Sequence, residues 1–276
     1  MSNKAIYQPK NKASEYAKWA CNFYVGCSND CSYCYCKKGI LAGTMGGDKP
    51  TLKKCFKDET HALEVFEKEL MQNLPELQKH GLFFSFTTDP MLPETIDLTI
   101  AAIDACVVNN VPVKILTKCD FTNPERMVGI YQRAFPFLVK QKYKDKIAFG
   151  FTLTGYDRLE PNASTNQERI EAMKKLHDAG FRTFASIEPI IDFERSFEMI
   201  YLTWGHCNLY KIGLMSGQKV DRAFYERLRS FNLAVVNLLT QSTAKVYWKD
   251  SITKCFDVFP DAPCNVDRDY NIFKER

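Results

Sequence analysis

The sequence predicts an α/β fold in which a parallel sheet carries helices on its outside. Two observations carry this. The hydrophobic pattern switches period repeatedly, giving six short apolar runs that are each followed by a helical stretch. The 276 residues are 45% hydrophobic, enough for a large buried core in one barrel-type domain or two small ones.

The first strand is expected over 20–25, stopped by Gly26. A long loop rich in Gly and Lys then covers 37–57. Ala62, Leu63, Phe66, Leu70 and Leu74 repeat at helical spacing, so 59–74 reads as a helix. The run 82–87 is a second strand, and a helix from Pro93 or Glu94 to Asn109 follows it, with proline in its first turn. The third strand is 113–117, and Pro124 starts the next helix at its first position. Strands over 146–152, 181–187 and 209–214 alternate with helices over 166–179, closed by Gly180, and over 193–204 and 220–230. The tail adds a further helical stretch and a last strand over 244–248. The domain reading is a basic extension over 1–19, the α/β body over 20–233 and a C-terminal extension over 234–276. Neither an internal repeat nor a low-complexity segment is present.

Composition narrows the class. No apolar run approaches the roughly 18 residues a membrane span needs. The start, Met1-Ser2-Asn3-Lys4, lacks the apolar stretch of a signal peptide. The 11 cysteines are odd in number and not spaced as a disulfide scaffold, so a reducing cytoplasm is expected. The net charge is only +4, but it is uneven: residues 1–57 carry +7 and the remainder −3. A second basic run is Lys140, Lys142, Lys144 and Lys146. A basic collar of this kind attracts anionic substrates, nucleic acid among them, although a plain solvated lysine surface has the same composition.

The most specific feature is Cys27, Cys31 and Cys34 in C-x3-C-x2-C spacing, directly after the first strand. Three thiolates can hold a four-iron cluster and leave one iron open for chemistry, whereas four protein ligands make an electron carrier. Two other readings exist. Zinc held by these three and Cys36 would normally need two separated ligand pairs, and no second knuckle follows, since Cys255 and Cys264 are eight intervening residues apart. Reduced structural cysteines would sit in apolar sequence, whereas these are interrupted by Ser, Asn and Asp. At the strand ends stand polar residues that a cofactor pocket needs: Thr87, Thr88 and Asp89; Thr117 and Lys118; Thr152 and Thr154; Ser186 and Glu188; Lys211 and Ser216. Taken singly, such residues are also ordinary turn formers.

The cysteine motif, with Tyr33 before its last member, resembles the signature of the radical S-adenosylmethionine (SAM) enzymes. Further segments are similar to the branch containing spore photoproduct lyase and photolyase-like proteins: Tyr24-Val25-Gly26-Cys27 through Cys34-Tyr35, Thr88-Asp89-Pro90 with Pro93-Glu94, Leu116-Thr117-Lys118, Glu160-Pro161 followed by Arg169, and Glu188-Pro189-Ile190. The likeness spans roughly residues 20–215.

This resemblance implies a partial (β/α)6 TIM-type barrel with a short C-terminal extension. It implies a [4Fe-4S] cluster on Cys27, Cys31 and Cys34, and SAM chelated to the open iron. Tyr33, Thr88, Asp89, Lys118, Thr152 and Glu188 are the implied cofactor-side residues, with Lys118 toward the methionyl carboxylate and Thr152 toward the nucleoside. An external one-electron donor, a flavodoxin or ferredoxin, would reduce the cluster. SAM would yield methionine and a 5′-deoxyadenosyl radical that takes hydrogen from a substrate, with a nucleic acid or nucleotide expected first and a peptide or small metabolite second. A non-enzymatic iron–sulfur or zinc module is the reading from another class. Tyr35 matches the lyase tyrosine after the third cysteine. The cysteine that returns hydrogen to the product radical in the lyases is replaced by Phe86 here, which leaves Cys119 as a displaced candidate and argues against authentic thymine-dimer repair.

Overall fold

The computed structural model describes residues 4–125, 127–259 and 261–274. Its strands are β1 (Ile6–Tyr7), β2 (Ala20–Cys21), β3 (Tyr24–Val25), β4 (Thr51–Leu52), β5 (Leu82–Phe84), β6 (Val113–Thr117), β7 (Ile147–Thr152), β8 (Arg182–Ile190), β9 (Leu209–Leu214) and β10 (Lys245–Trp248). Its α-helices are α1 (Ala42–Met45), α2 (Glu59–Gln72), α3 (Leu74–His80), α4 (Ile96–Val108), α5 (Val128–Leu138), α6 (Asn166–Asp178), α7 (Phe193–Thr203), α8 (Arg222–Leu239) and α9 (Asp250–Thr253). Eight strands form one sheet in the order β1-β2-β5-β6-β7-β8-β9-β10, and β3 and β4 pair separately. From β2 to β10 every neighbour is parallel, while β1 joins β2 antiparallel. The result is a partial TIM-type α/β fold whose two edge strands are not partners of each other.

Alternation along the strands separates two cores. Phe149, Phe151, Ala185 and Ile187 face the helices. Ala148, Phe184, Leu209 and Tyr247 face the interior, where they meet Tyr16, Ala17 and Phe83. A Cβ on Gly150 would lie 2.1 Å from the Phe184 ring, so glycine at this strand position lets that ring fill the interior.

Several expected elements are adjusted. The strand expected over 20–25 is two short strands, β2 in the main sheet and β3 paired with β4. The break falls at Asn22, whose side-chain carbonyl is taken by the Phe86 backbone N–H. The strand expected over 82–87 stops at Phe84, because residues 86–89 turn to bind the cysteine loop instead of a sheet neighbour. Pro124 does not open a helix; α5 starts at Val128, after a turn that Asn123 holds through the Glu125 N–H. The helix after β9 and the helical stretch of the tail are one helix, α8, so the division expected at 233/234 falls inside it. Leu228, Phe231, Val235, Val236 and Leu239 form one continuous buried stripe along α8, which is why it does not break there. The N-terminal stretch and the tail both enter the body: Tyr16 lies in the interior core and β10 extends the parallel sheet. Among the described residues, no helix is long and apolar enough to cross a membrane.

The interior also holds charge: Glu188 and Lys211 were expected at strand ends, but Glu15, Lys114 and Lys249 were not singled out from the sequence. Lys249, 1% exposed, lies 2.5 Å from Glu188 and 3.4 Å from Glu15. Lys211 donates to the Glu15 carbonyl (2.5 Å) and Lys114 to the Tyr16 carbonyl (2.9 Å). Burial brings the Lys114 ammonium down to about 8. The unfolded chain binds that proton up to the ordinary lysine range, so above pH 8 it holds more protons than the folded one. Lys114 therefore contributes stability that rises from about pH 8 toward 10.5. Urea midpoints across this range are expected to climb more steeply in the wild type than in Lys114→Met; equal slopes would contradict the shift.

Candidate functional site

Parallel α/β folds place chemistry at the carboxyl ends of their strands, and the cysteine loop lies at that rim. The loop leaves β3 through Gly26, whose φ of +79° and close approach to the Lys49 carbonyl, 2.3 Å from a would-be Cβ, require glycine. Its first turn is closed by the Gly26 N–H on the Met45 carbonyl and the Cys27 N–H on the Gly47 carbonyl, each 3.0 Å.

A strap formed by residues 86–89 holds the loop from one side, residue by residue. The Phe86 N–H binds the Asn22 side chain (2.9 Å), Thr87 Oγ1 donates to the Tyr24 carbonyl (2.6 Å), and Thr88 Oγ1 donates to the Gly26 carbonyl (2.5 Å). Asp89 receives Asn29 Nδ2 at 2.9 Å. Its carboxylate also accepts the Lys118 N–H (2.7 Å), Thr117 Oγ1 (2.7 Å) and the Met91 N–H (3.0 Å). Four donors occupy this buried carboxylate, so Asp89 fastens the loop to the end of β6. Thr88, expected as a cofactor contact, donates its hydroxyl to the loop, and Asp89, expected likewise, accepts from the loop, from Met91 and from the end of β6.

A clamp holds the other side. The Ser32 N–H donates to the Leu159 carbonyl (2.9 Å) and Asn162 Nδ2 to the Ser28 carbonyl (3.0 Å). The Tyr33 hydroxyl donates to Glu160, which forms a fully buried ion pair with Arg169 at 2.5 Å. Arg169 reaches the carbonyls of Thr152 (2.6 Å) and Ser164 (2.8 Å) as well, joining β7 to the clamp. Tyr33 therefore sits between the loop and the clamp, and burial, with the Glu160 charge added, keeps its phenol protonated.

Between strap and clamp lies Lys118, its ammonium 5.7 Å from the centre of the Tyr33 ring. Burial opposes its charge, but the Cys31 sulfur and Glu160 outweigh this and raise its pKa. A cation thus stands beside Cys31 at the β6 end, and Thr152 ends the neighbouring β7. Cys27 and Cys34 are partly exposed and Cys31 is buried. Burial lifts the Cys27 thiol to about 11, whereas a hydrogen bond from Cys36 and the N–H groups of Cys36 and Lys37 bring Cys34 down to about 6. Cys34 is the thiol its surroundings favour most for ionisation, and metal would displace the protons of the other two. Among the described residues, these sulfurs form no group within 4.8 Å of one another. One tetrahedral zinc at about 2.3 Å from each sulfur would hold them roughly 3.8 Å apart. The donor set, three thiols on one strand-end loop with a cation beside them, fits an iron–sulfur cluster with an open iron.

The remaining expected residues lie elsewhere. Tyr35 is half exposed and its hydroxyl donates to the Phe86 carbonyl (2.5 Å). Phe86 stacks on Phe83 with ring centres 4.5 Å apart. Cys119, 4% exposed, packs in the outer hydrophobic core. Glu188 takes Lys249 and the Tyr16 hydroxyl (2.8 Å), on the β8–β10 side of the rim. The basic collar is thinner than its sequence: Lys37 is bound by Asp30 and Asp48, Lys53 is buried, and Lys18 pairs with Asp269. The run 140–146 precedes β7 and so lies at the end of the sheet opposite the cysteines.

Asn29, Glu160 and Asn162 were not singled out as site residues from the sequence, because their roles depend on contacts 60 to 134 residues away. Asp89→Asn would turn one acceptor oxygen into a donor facing N–H groups. Iron bound per chain after reconstitution is expected to fall by at least half in this variant, with the far-ultraviolet spectrum unchanged; full iron loading would contradict the fastening role of Asp89.

The Radical SAM superfamily matches residues 21–199. An uncharacterized protein of Methanocaldococcus jannaschii is 26% identical over 189 residues; that stretch is 63% of this chain and spans 61% of that relative's length. Spore photoproduct lyase complexed with dinucleoside spore photoproduct aligns with TM-score 0.58 at 15% identity, covering 88% of this chain and 80% of that one. Streptococcus suis SuiB bound to precursor peptide SuiA aligns with TM-score 0.57 at 13% identity, covering 83% and 48%.

Proposed function

The chain belongs to the radical SAM superfamily, and on that premise we propose that it is an enzyme that cleaves SAM reductively and uses the resulting radical on a nucleic acid or nucleotide. The observation that carries the reaction class is the three-cysteine loop at the strand-end rim, held by strap and clamp. When bound, the cluster and SAM supply one-electron cleavage that delivers a 5′-deoxyadenosyl radical.

The chain's own residues bind and position. Cys27, Cys31 and Cys34 hold the irons, and Asp89 and the Glu160–Arg169 pair keep their loop in place. Lys118 offers an ammonium for the methionyl carboxylate, and Thr152 a hydroxyl toward the nucleoside. Reducing equivalents come from a one-electron donor such as a flavodoxin or ferredoxin.

The nucleic-acid reading is supported by the fold shared with the lyase complexed with a dinucleoside and by the exposed Lys38 and Lys49, which adjoin the loop. Phe86 in the inner core and Cys119 in the outer one offer no thiol at the rim, so repair through a cysteine hydrogen donor is not part of this reading. The peptide reading rests on SuiB, solved with its precursor peptide. The deciding experiment is 5′-deoxyadenosine formation by the cluster-loaded, dithionite-reduced protein with DNA or RNA oligonucleotides, nucleotides or peptide pools. Stimulation by oligonucleotides or nucleotides supports the first reading. Stimulation by peptides alone replaces it with the second.

A further inference from the structure

A second group of metal-ligating side chains lies far from the cysteine loop. His177 and Asp178 end α6, and His206 occupies the turn between α7 and β9. Helix ends and strand starts lie at the opposite end of the sheet from the cysteines, so this group has no part in the site above.

We propose that His177, Asp178 and His206 bind one divalent transition-metal ion of the zinc type. One ligand atom from each lies within 4.8 Å of the others. His177 Nδ1 is 3.8 Å from Asp178 Oδ1, and the two imidazoles meet edge to face with centres 5.6 Å apart. Zinc at about 2.0–2.1 Å from nitrogen and oxygen spaces its ligands roughly 3.4 Å apart, so small rotations of three side chains close the site. The backbone beneath them is fixed. The His206 N–H donates to the Thr203 carbonyl (2.8 Å), its own carbonyl accepts Thr183 Oγ1 (2.5 Å), and the Gly180 N–H binds the His177 carbonyl (2.8 Å).

An independent observation points to a ligand. His206 Nδ1 is buried and has no hydrogen-bond partner. Buried polar atoms are nearly always paired, so this nitrogen, on a ring that meets the His177 ring edge to face, calls for a partner. Two imidazoles and one carboxylate suit zinc, with nickel and copper next, and three protein ligands leave a coordination position for water. The ion would tie the end of α6 to the turn that leads into β9, pinning two successive units of the barrel.

The test uses the cluster-loaded protein under anaerobic conditions, so that the loop cysteines are already occupied, titrated with zinc chloride. The expected result is one zinc per chain beyond the cluster iron, with a zinc-edge X-ray absorption spectrum showing nitrogen and oxygen ligands at about 2.0–2.1 Å. His206→Gln and His177→Gln are each expected to weaken binding at least ~10-fold, the least that loss of even a supporting contact costs. They should also abolish the zinc-dependent rise in melting temperature seen in the wild type. Sulfur ligands at about 2.3 Å, no zinc taken up by the wild type, or wild-type affinity in both variants would each overturn the proposal. The wild-type spectrum decides by itself if a variant fails to fold.

Discussion

Replacing Arg169 with methionine is expected to destabilise the fold by about 3–5 kcal/mol, the usual cost of leaving one member of a buried pair uncompensated. Both Arg169 and Glu160 have side chains with no exposure and lie 2.5 Å apart. Arg169 also satisfies the carbonyls of Thr152 and Ser164, which would lose a charged donor in an apolar setting. Methionine keeps much of the volume, so packing is a small part of the loss. The melting temperature should fall on the order of 10 °C, at roughly 2–4 °C per kcal/mol for a chain of this size class. The double variant Arg169→Met, Glu160→Gln should recover part of the loss, since the stranded charge is gone. A functional effect should accompany it: Tyr33 loses the fixed acceptor that seats it against the clamp, so iron retention should fall with stability. Thermal melts of the three proteins check this. A shift below about 1 kcal/mol for the single variant would mean the pair is not buried as described.

The second large effect is on chemistry. Changing Cys27, Cys31 or Cys34 to alanine singly is expected to remove the four-iron absorbance and to lower SAM cleavage by more than ~100-fold, exceeding the loss from a supporting residue. Cys36→Ala should keep the iron, because the Cys36 thiol acts by hydrogen-bonding the Cys34 sulfur. Cys119→Ala should keep both iron and cleavage, because Cys119 packs in the outer core. A Cys36 variant without iron, together with a competent Cys27 variant, would reassign the ligand set. Iron analysis and product chromatography on the same preparations separate these cases.

The parallel sheet was legible because period-2 and period-3.6 apolar patterns alternate along the chain, and six units of that kind admit few architectures. The cysteine loop was legible because its ligands are neighbours in sequence. What was not legible depended on distance along the chain. β1 is two residues long and is a strand only because Ala20–Cys21 lies beside it. The strap at 86–89 reads as the end of a strand, since nothing local says that Thr87 and Thr88 will turn to the Tyr24 and Gly26 carbonyls. Asp89 has the composition of a cofactor contact, but four donors converge on it from Asn29, Met91, Thr117 and Lys118. The lysines of residues 1–57 looked like one collar; folding buries Lys53 and pairs Lys18 and Lys37. Glu188 and Lys211 read as strand-end residues, but their interior partners Glu15 and Lys249, at opposite ends of the chain, leave no local trace.

The measurement closest to the central claim is anaerobic reconstitution with iron and sulfide, reduction with dithionite, and addition of SAM. The account predicts about four irons per chain and the release of methionine and 5′-deoxyadenosine, lost together when Cys31 becomes alanine. A well-formed cluster that leaves SAM intact, or zinc in place of iron on the same three cysteines, would contradict it.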